Sequence, residues 1–134
     1  MNERVQAHLR KAQERLKDAE GMLSLGRYAG AVNRTYYVMF EAASAMLASL
    51  GLRFESHQGV ISKFGELLAK TGRVEPRFGH DLKEAFGLRE DADYALDARA
   101  EIPRHTAEAE LQKAREFLTM AENFLKAGGE FERS

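Results

Sequence analysis

Asn33-Arg34-Thr35-Tyr36-Tyr37-Val38-Met39-Phe40 opens an apolar run that continues through Ala42, Ala43, Ala45, Met46, Leu47 and Leu50 to a stop at Gly51. Within it Val32, Tyr36, Phe40, Ala43, Leu47 and Leu50 recur in steps of three and four, the period of a helix that faces a core. Arg34 breaks the pattern. It shares a second face of this helix with Tyr37, three residues on. A guanidinium on so apolar a helix needs a carboxylate or phosphate beside it, because an unpaired buried charge costs on the order of several kcal/mol. A partner stands later, in Arg89-Glu90-Asp91-Ala92-Asp93-Tyr94, so an Arg34 pair with Asp93 or Asp91 is expected to lock the two stretches together.

Outward from that core helix the chain reads as helices throughout. Val5, Leu9, Ala12, Leu16, Ala19 and Leu23 form a four–three seam in a first helix, from an Asn2 cap to about Leu25, ended by Gly26. The core helix itself is expected from about Ala29 to Leu50. The short link between the two predicts an antiparallel hairpin. Ser56 caps a third helix, His57 to about Lys70, with Val60, Ile61, Phe64, Leu67 and Leu68 inward and Thr71-Gly72 as its stop. After Pro76 a fourth helix runs from Arg77 to Ala98.

That fourth helix carries two competing stripes. One is Leu82, Phe86, Arg89, Asp93 and Leu96; the other is Leu88, Ala92 and Ala95, which would leave Arg89 and Asp93 at its edge. Whichever stripe the bundle leaves uncovered is expected to pair with a second copy of the chain. A fifth helix follows a Thr106 cap, from Ala107 to about Ala127, with Leu111, Ala114, Leu118, Ala121 and Leu125 inward and Gly128-Gly129 as its end. The fold class is all-α: an up-and-down bundle of four long helices and a shorter one, in a single domain over 1–134.

Bulk composition narrows the function. The chain has 134 residues, 44% hydrophobic and 31% charged, in the range of a soluble globular domain. Net charge of −1 supplies no basic field for non-specific nucleic-acid binding, so any such contact must be local. No cysteine is present, which removes disulfides and thiolate metal sites and fits a cytoplasmic setting. There is no signal-like N-terminus and no charge-free span of membrane length. A di-metal bundle would need Glu-x-x-His pairs, and none occurs, so neither a metal nor another cofactor is expected.

Three motifs taken together are more specific. They are Arg34-Thr35-Tyr36-Tyr37-Val38-Met39-Phe40, Ser56-His57-Gln58-Gly59 and Arg89-Glu90-Asp91-Ala92-Asp93-Tyr94. In order and spacing they resemble the HEPN domains (higher eukaryotes and prokaryotes nucleotide-binding), above all the small stand-alone prokaryotic members. The resemblance covers nearly the whole chain. It implies a cytoplasmic homodimer that works beside a minimal nucleotidyltransferase in a toxin–antitoxin-like pair. It also implies a nucleotide, RNA or partner site at Arg34, Tyr37, His57, Arg89, Asp93 and Tyr94.

Active HEPN ribonucleases resemble metal-independent enzymes with an Arg-x(4–6)-His motif. There a histidine moves the proton of a 2′-hydroxyl and an arginine holds the phosphate charge. This chain departs from that pattern: Arg89 matches the arginine, but Tyr94 stands five residues later. A tyrosine with an ordinary pKa of about 10 is a poor base at neutral pH. The readings are therefore a binding or partner module, an endonuclease using Arg89 with Tyr94 or His57, or a structural dimerisation module. Two bare matches, Arg73 with His80 and Arg99 with His105, cross predicted helix ends. Position in the helix should decide activity, so His80→Ala and His105→Ala are expected to leave any RNA cleavage unchanged. Loss of cleavage in either variant would contradict that expectation.

Overall fold

The computed structural model describes residues 2–98 and 101–133. Its helices are α1 (Glu3–Ser24), α2 (Tyr28–Ser49), α3 (His57–Phe64), α4 (Arg77–Ala98) and α5 (Arg104–Arg133), and no strand occurs among the described residues. The fold is the expected all-α bundle. Asn2 caps α1 by accepting from the Val5 amide at 2.9 Å, and Ser56 caps α3 by accepting from the Gly59 amide at 2.9 Å. Gly26 and Gly51 close α1 and α2 with φ of 73° and 79°, a left-handed conformation that other residues enter at a cost. The amides of Arg27 and Leu52 then reach back to the carbonyls of Met22 and Leu47, covering the exposed helix ends.

Helix α2 lies at the centre and touches α1, α3, α4 and α5. Its buried residues run right round it: Val32, Tyr36, Met39 and Ala43 on one side, Ala31, Val38, Ala42, Ala45 and Met46 on the others. Apolar over most of its circumference, with a half-buried polar strip at Asn33, Arg34, Tyr37, Glu41 and Ser44, it needs enclosure to be stable. Helix α1 covers it with Val5, Ala12 and Ala19, spaced seven apart, while Leu9, Leu16 and Leu23 stay half-buried. Phe64 and Phe78 meet Phe117 of α5, with ring centroids 5.2 and 5.7 Å apart, and join α3, α4 and α5 below the centre of α2.

Helix α4 uses parts of both expected stripes. Phe78, Leu82 and Ala85 are buried in its first half, Ala92 and Ala95 in its second, and Arg89 and Asp93 lie half-buried at the edge. The side chain of Leu96 lies outside the described residues. Among the described residues of α4, Phe86 and Leu88 stay half-buried, and neither expected stripe is wholly covered or wholly exposed.

Three boundaries differ from expectation. After Phe64 the third helix widens into a π turn over Gly65–Ala69, closed by the Lys70 amide on the Gly65 carbonyl at 2.8 Å. The extra residue in that turn brings Leu68 and Ala69 inward together. Helix α5 starts at Arg104, because the Pro103 carbonyl already accepts from the Thr106 and Ala107 amides; Thr106 sits in the first turn and is not the cap. The same helix continues past Gly128 to Arg133, since Gly128 does not adopt the positive φ that ends α1 and α2.

One charge is buried without full compensation. Glu110 of α5 is 2% exposed and its Oε1 has no hydrogen-bond partner among the described residues, while Lys113 lies 3.3 Å from Glu110 and 2.7 Å from Glu84 of α4. Burial pushes the Glu110 carboxyl above the usual carboxylate range, and Lys113 only partly opposes this. The folded protein therefore holds this proton more tightly than the unfolded chain, and stability contributed at low pH is lost as pH rises through the raised pKa. Glu110→Gln is expected to raise the urea midpoint at neutral pH, with a gain that vanishes near pH 4, below the ordinary glutamate value of about 4.3. A midpoint lowered at neutral pH would contradict this.

Candidate functional site

The site is built where α2, the start of α3 and the middle of α4 meet. Tyr36 and Phe40, four apart, point from α2 towards His57 and Phe86. Tyr37 lies edge-on to Tyr36 with centroids 5.1 Å apart, and Phe40 lies 4.6 Å from the His57 ring. Three elements thus contribute to one aromatic cluster.

Arg89 enters this cluster from α4. Its guanidinium carbon lies 5.2 Å from the Phe86 ring centre, 5.5 Å from Tyr36 and 5.9 Å from Tyr37. Nη1 donates to Asp93 Oδ2 at 3.3 Å and, at a long 3.5 Å, to the Tyr37 hydroxyl. Nε is buried and has no partner among the described residues. A cation so placed gains from the ring faces, roughly 0.5–2 kcal/mol for each well-aligned pair. Its one carboxylate, Asp93, is itself 42% exposed, so the charge is incompletely neutralised.

Arg34 does not pair with Asp93 or Asp91. Its Nη1 donates to Asn33 Oδ1 at 2.6 Å, and Asn33 Nδ2 donates to Asp93 Oδ1 at 2.8 Å. The bond locking α2 to α4 belongs to Asn33. The helical geometry explains the shift by one residue: Asn33 and Tyr37 are four apart and face α4 together, whereas Arg34 is turned about 100° away. Arg34 is left half-buried, with no carboxylate in contact among the described residues.

His57 is held by Tyr36, whose hydroxyl lies 2.6 Å from Nδ1. Burial pushes the Tyr36 phenol well above its ordinary range, against the field of Arg89. Burial also lowers the His57 pKa, the Arg89 charge lowers it further, and Glu41 opposes both. Tyr94 is 68% exposed and makes no ring contact with Arg89. The structure therefore brings Arg34, Tyr37, His57, Arg89 and Asp93 to one region and leaves Tyr94 at its rim.

The remaining histidine matches fall elsewhere. His80 is exposed and lies 3.5 Å from Glu84; His105 is exposed at the start of α5; Arg99 lies outside the described residues. Among the described residues no group of three or more histidines and carboxylates could hold a metal, and no helix is long and apolar enough to cross a membrane. A separate groove of about 670 Å³ runs along α5 between Arg73, Phe78, Met120 and Phe124 and shares no residue with the cluster.

The sequence placed Phe40 and Phe86 on apolar stripes but not in the site, and gave Asn33 no partner. The i to i+4 pairing of Asn33 with Tyr37 is the signal that could have found one. An all-helical bundle with a polar and aromatic cluster on its central helix is the class of protein defined here. The HEPN domain matches residues 5–131, and the chain belongs to that family. It is 34% identical over 130 residues to a UPF0332 protein of Thermotoga maritima, covering 95% of this chain and 92% of the relative. It is 32% identical over 126 residues to a Methanocaldococcus jannaschii protein named as a candidate toxin, covering 94% and 92%. A UPF0332 protein of Archaeoglobus fulgidus is 31% identical over 119 residues, covering 89% and 93%.

The lowered His57 pKa has a testable sign. Between its folded and unfolded values the unfolded chain binds more protons, so stability falls as pH drops below the ordinary histidine value of about 6.5. The urea midpoint of the wild type is expected to fall more steeply below that pH than that of His57→Asn. Parallel curves would show that His57 is not linked to folding.

Proposed function

We propose that this chain is the HEPN component of a toxin–antitoxin-like pair with a minimal nucleotidyltransferase, and that its Arg89 face binds RNA or a nucleotide. The observation that carries this reading is the Arg89 guanidinium, set among three aromatic rings, with a buried Nε that has no partner and a single half-exposed carboxylate among the described residues. The half-buried Tyr37 and Phe86 rings offer aromatic surface to a base, and an incompletely neutralised cation suits a phosphate. Arg34, without a carboxylate of its own, adds positive charge beside it. The relative named as a candidate toxin supports the pairing. We place the chain in the cytoplasm as a homodimer on the strength of its family membership.

A second reading, metal-independent RNA cleavage, is favoured by one observation: His57 shares the aromatic cluster with Arg89 although it comes from another helix. The site residues in the binding reading are Arg34, Tyr37, His57, Arg89, Asp93 and Tyr94. Fluorescence anisotropy with a single-stranded oligoribonucleotide is the test. Wild type is expected to bind, and Arg89→Gln to bind at least about tenfold more weakly, roughly 1.4 kcal/mol. Binding indifferent to Arg89 would overturn the first reading. Cleavage of total RNA in chelator, lost in Arg89→Gln, would establish the second.

A further inference from the structure

Tyr36 is fully buried, and the only hydrogen-bond partner of its hydroxyl among the described residues is His57 Nδ1, 2.6 Å away. That bond can be arranged in two ways. If the phenol donates, Nδ1 accepts, and the ring is neutral with its proton on Nε2. If Nδ1–H donates instead, the phenol proton is stranded in the core without an acceptor, which buried hydroxyls avoid. A cationic ring strands it in the same way. The first arrangement is the one in which every buried polar atom of the pair is satisfied.

The other ring nitrogen is free for a ligand. Nε2 has no hydrogen-bond partner among the described residues and is not one of the buried unpartnered atoms. The ring lies between Phe40 and Phe86, at 4.6 and 6.0 Å, which fixes its plane. Arg89 approaches the Tyr36 and Phe86 rings from α4. Glu41 of α2 is the nearby carboxylate, and His8 of α1 holds it at 3.2 Å.

We propose that Tyr36 fixes His57 as a neutral hydrogen-bond donor, and that Nε2–H, beside Arg89, contacts a phosphate oxygen of a bound single-stranded RNA. This rests on the binding reading above and deepens it. His57 is then a ligand contact and not a general base, since Nε2 already carries its proton. Tyr36 is the positioning residue. The lowered His57 pKa agrees with a ring that stays neutral.

The experiment has two parts. Long-range proton–nitrogen spectra of the wild type near pH 7 are expected to show His57 protonated at Nε2 and bare at Nδ1. A cationic ring, or a proton on Nδ1, would overturn the proposal. Binding of a short 2′-O-methyl oligoribonucleotide, which resists cleavage, is then compared across variants. His57→Gln keeps an N–H donor near Nε2 and is expected to bind within a few-fold of wild type, while His57→Phe loses about tenfold, the effect of one hydrogen bond to a charged group. Tyr36→Phe, which keeps the core volume, is expected to bind more weakly and to show both His57 tautomers.

Wild-type affinity is expected to be flat between about pH 6 and about pH 8, whereas a required imidazolium would strengthen binding as pH falls. His57→Phe binding like wild type, with Arg89→Gln still weakened, would overturn the donor role and leave the binding reading intact. A wild type that binds no RNA would overturn both.

Discussion

Helix α2 is enclosed over most of its surface, so the polar atoms it buries must find their partners inside the bundle. The solutions differ along its length. Thr35 donates to the Val32 carbonyl at 2.9 Å within its own helix. Asn33 reaches Asp93 on α4, and Tyr36 reaches His57 at the start of α3. Each bond lost would leave a desolvated group, at about 1–3 kcal/mol. Satisfying α2 therefore sets the register of α3 and α4 against it. That register is what collects Tyr37, His57, Phe86 and Arg89 in one place.

The electrostatics of the cluster follow from the same enclosure. Asp93 stands four residues after Arg89 and divides its two oxygens between Arg89 and Asn33. It neutralises Arg89 only in part, because its own exposure lets water screen the pair. The rings supply the rest of the stabilisation of a cation whose Nε is dry. By contrast Arg77, at the start of α4, is surrounded by Glu75, Asp81 and Glu116 and has its charge accounted for. Of the two, Arg89 is the less compensated cation and offers more to an anionic ligand.

Much of the fold was legible because it rests on local rules. The seam of α1, the caps at Asn2 and Ser56 and the glycine stops at 26 and 51 depend on residues within a turn of one another. The site was legible in composition but not in pairing. Arg34 and Asn33 differ by one helical step, and only the packing angle of α4 decides which of them reaches Asp93. That Tyr36 needed a polar partner followed from its place in the core. That the partner is His57 depends on how residues 51–56 return the chain, which no periodicity encodes. The π turn at Gly65–Ala69 and the extension of α5 past Gly128 likewise reflect small differences in turn energy.

The central claim is that one face, centred on Arg89, contacts RNA. Photo-crosslinking with thiouridine-substituted RNA, followed by mass-spectrometric mapping of the labelled peptides, tests it most directly. The account predicts labels on peptides carrying Tyr37, His57 and Tyr94, which line or rim the cluster. Labels confined to the groove around Arg73, Met120 and Phe124 would contradict it.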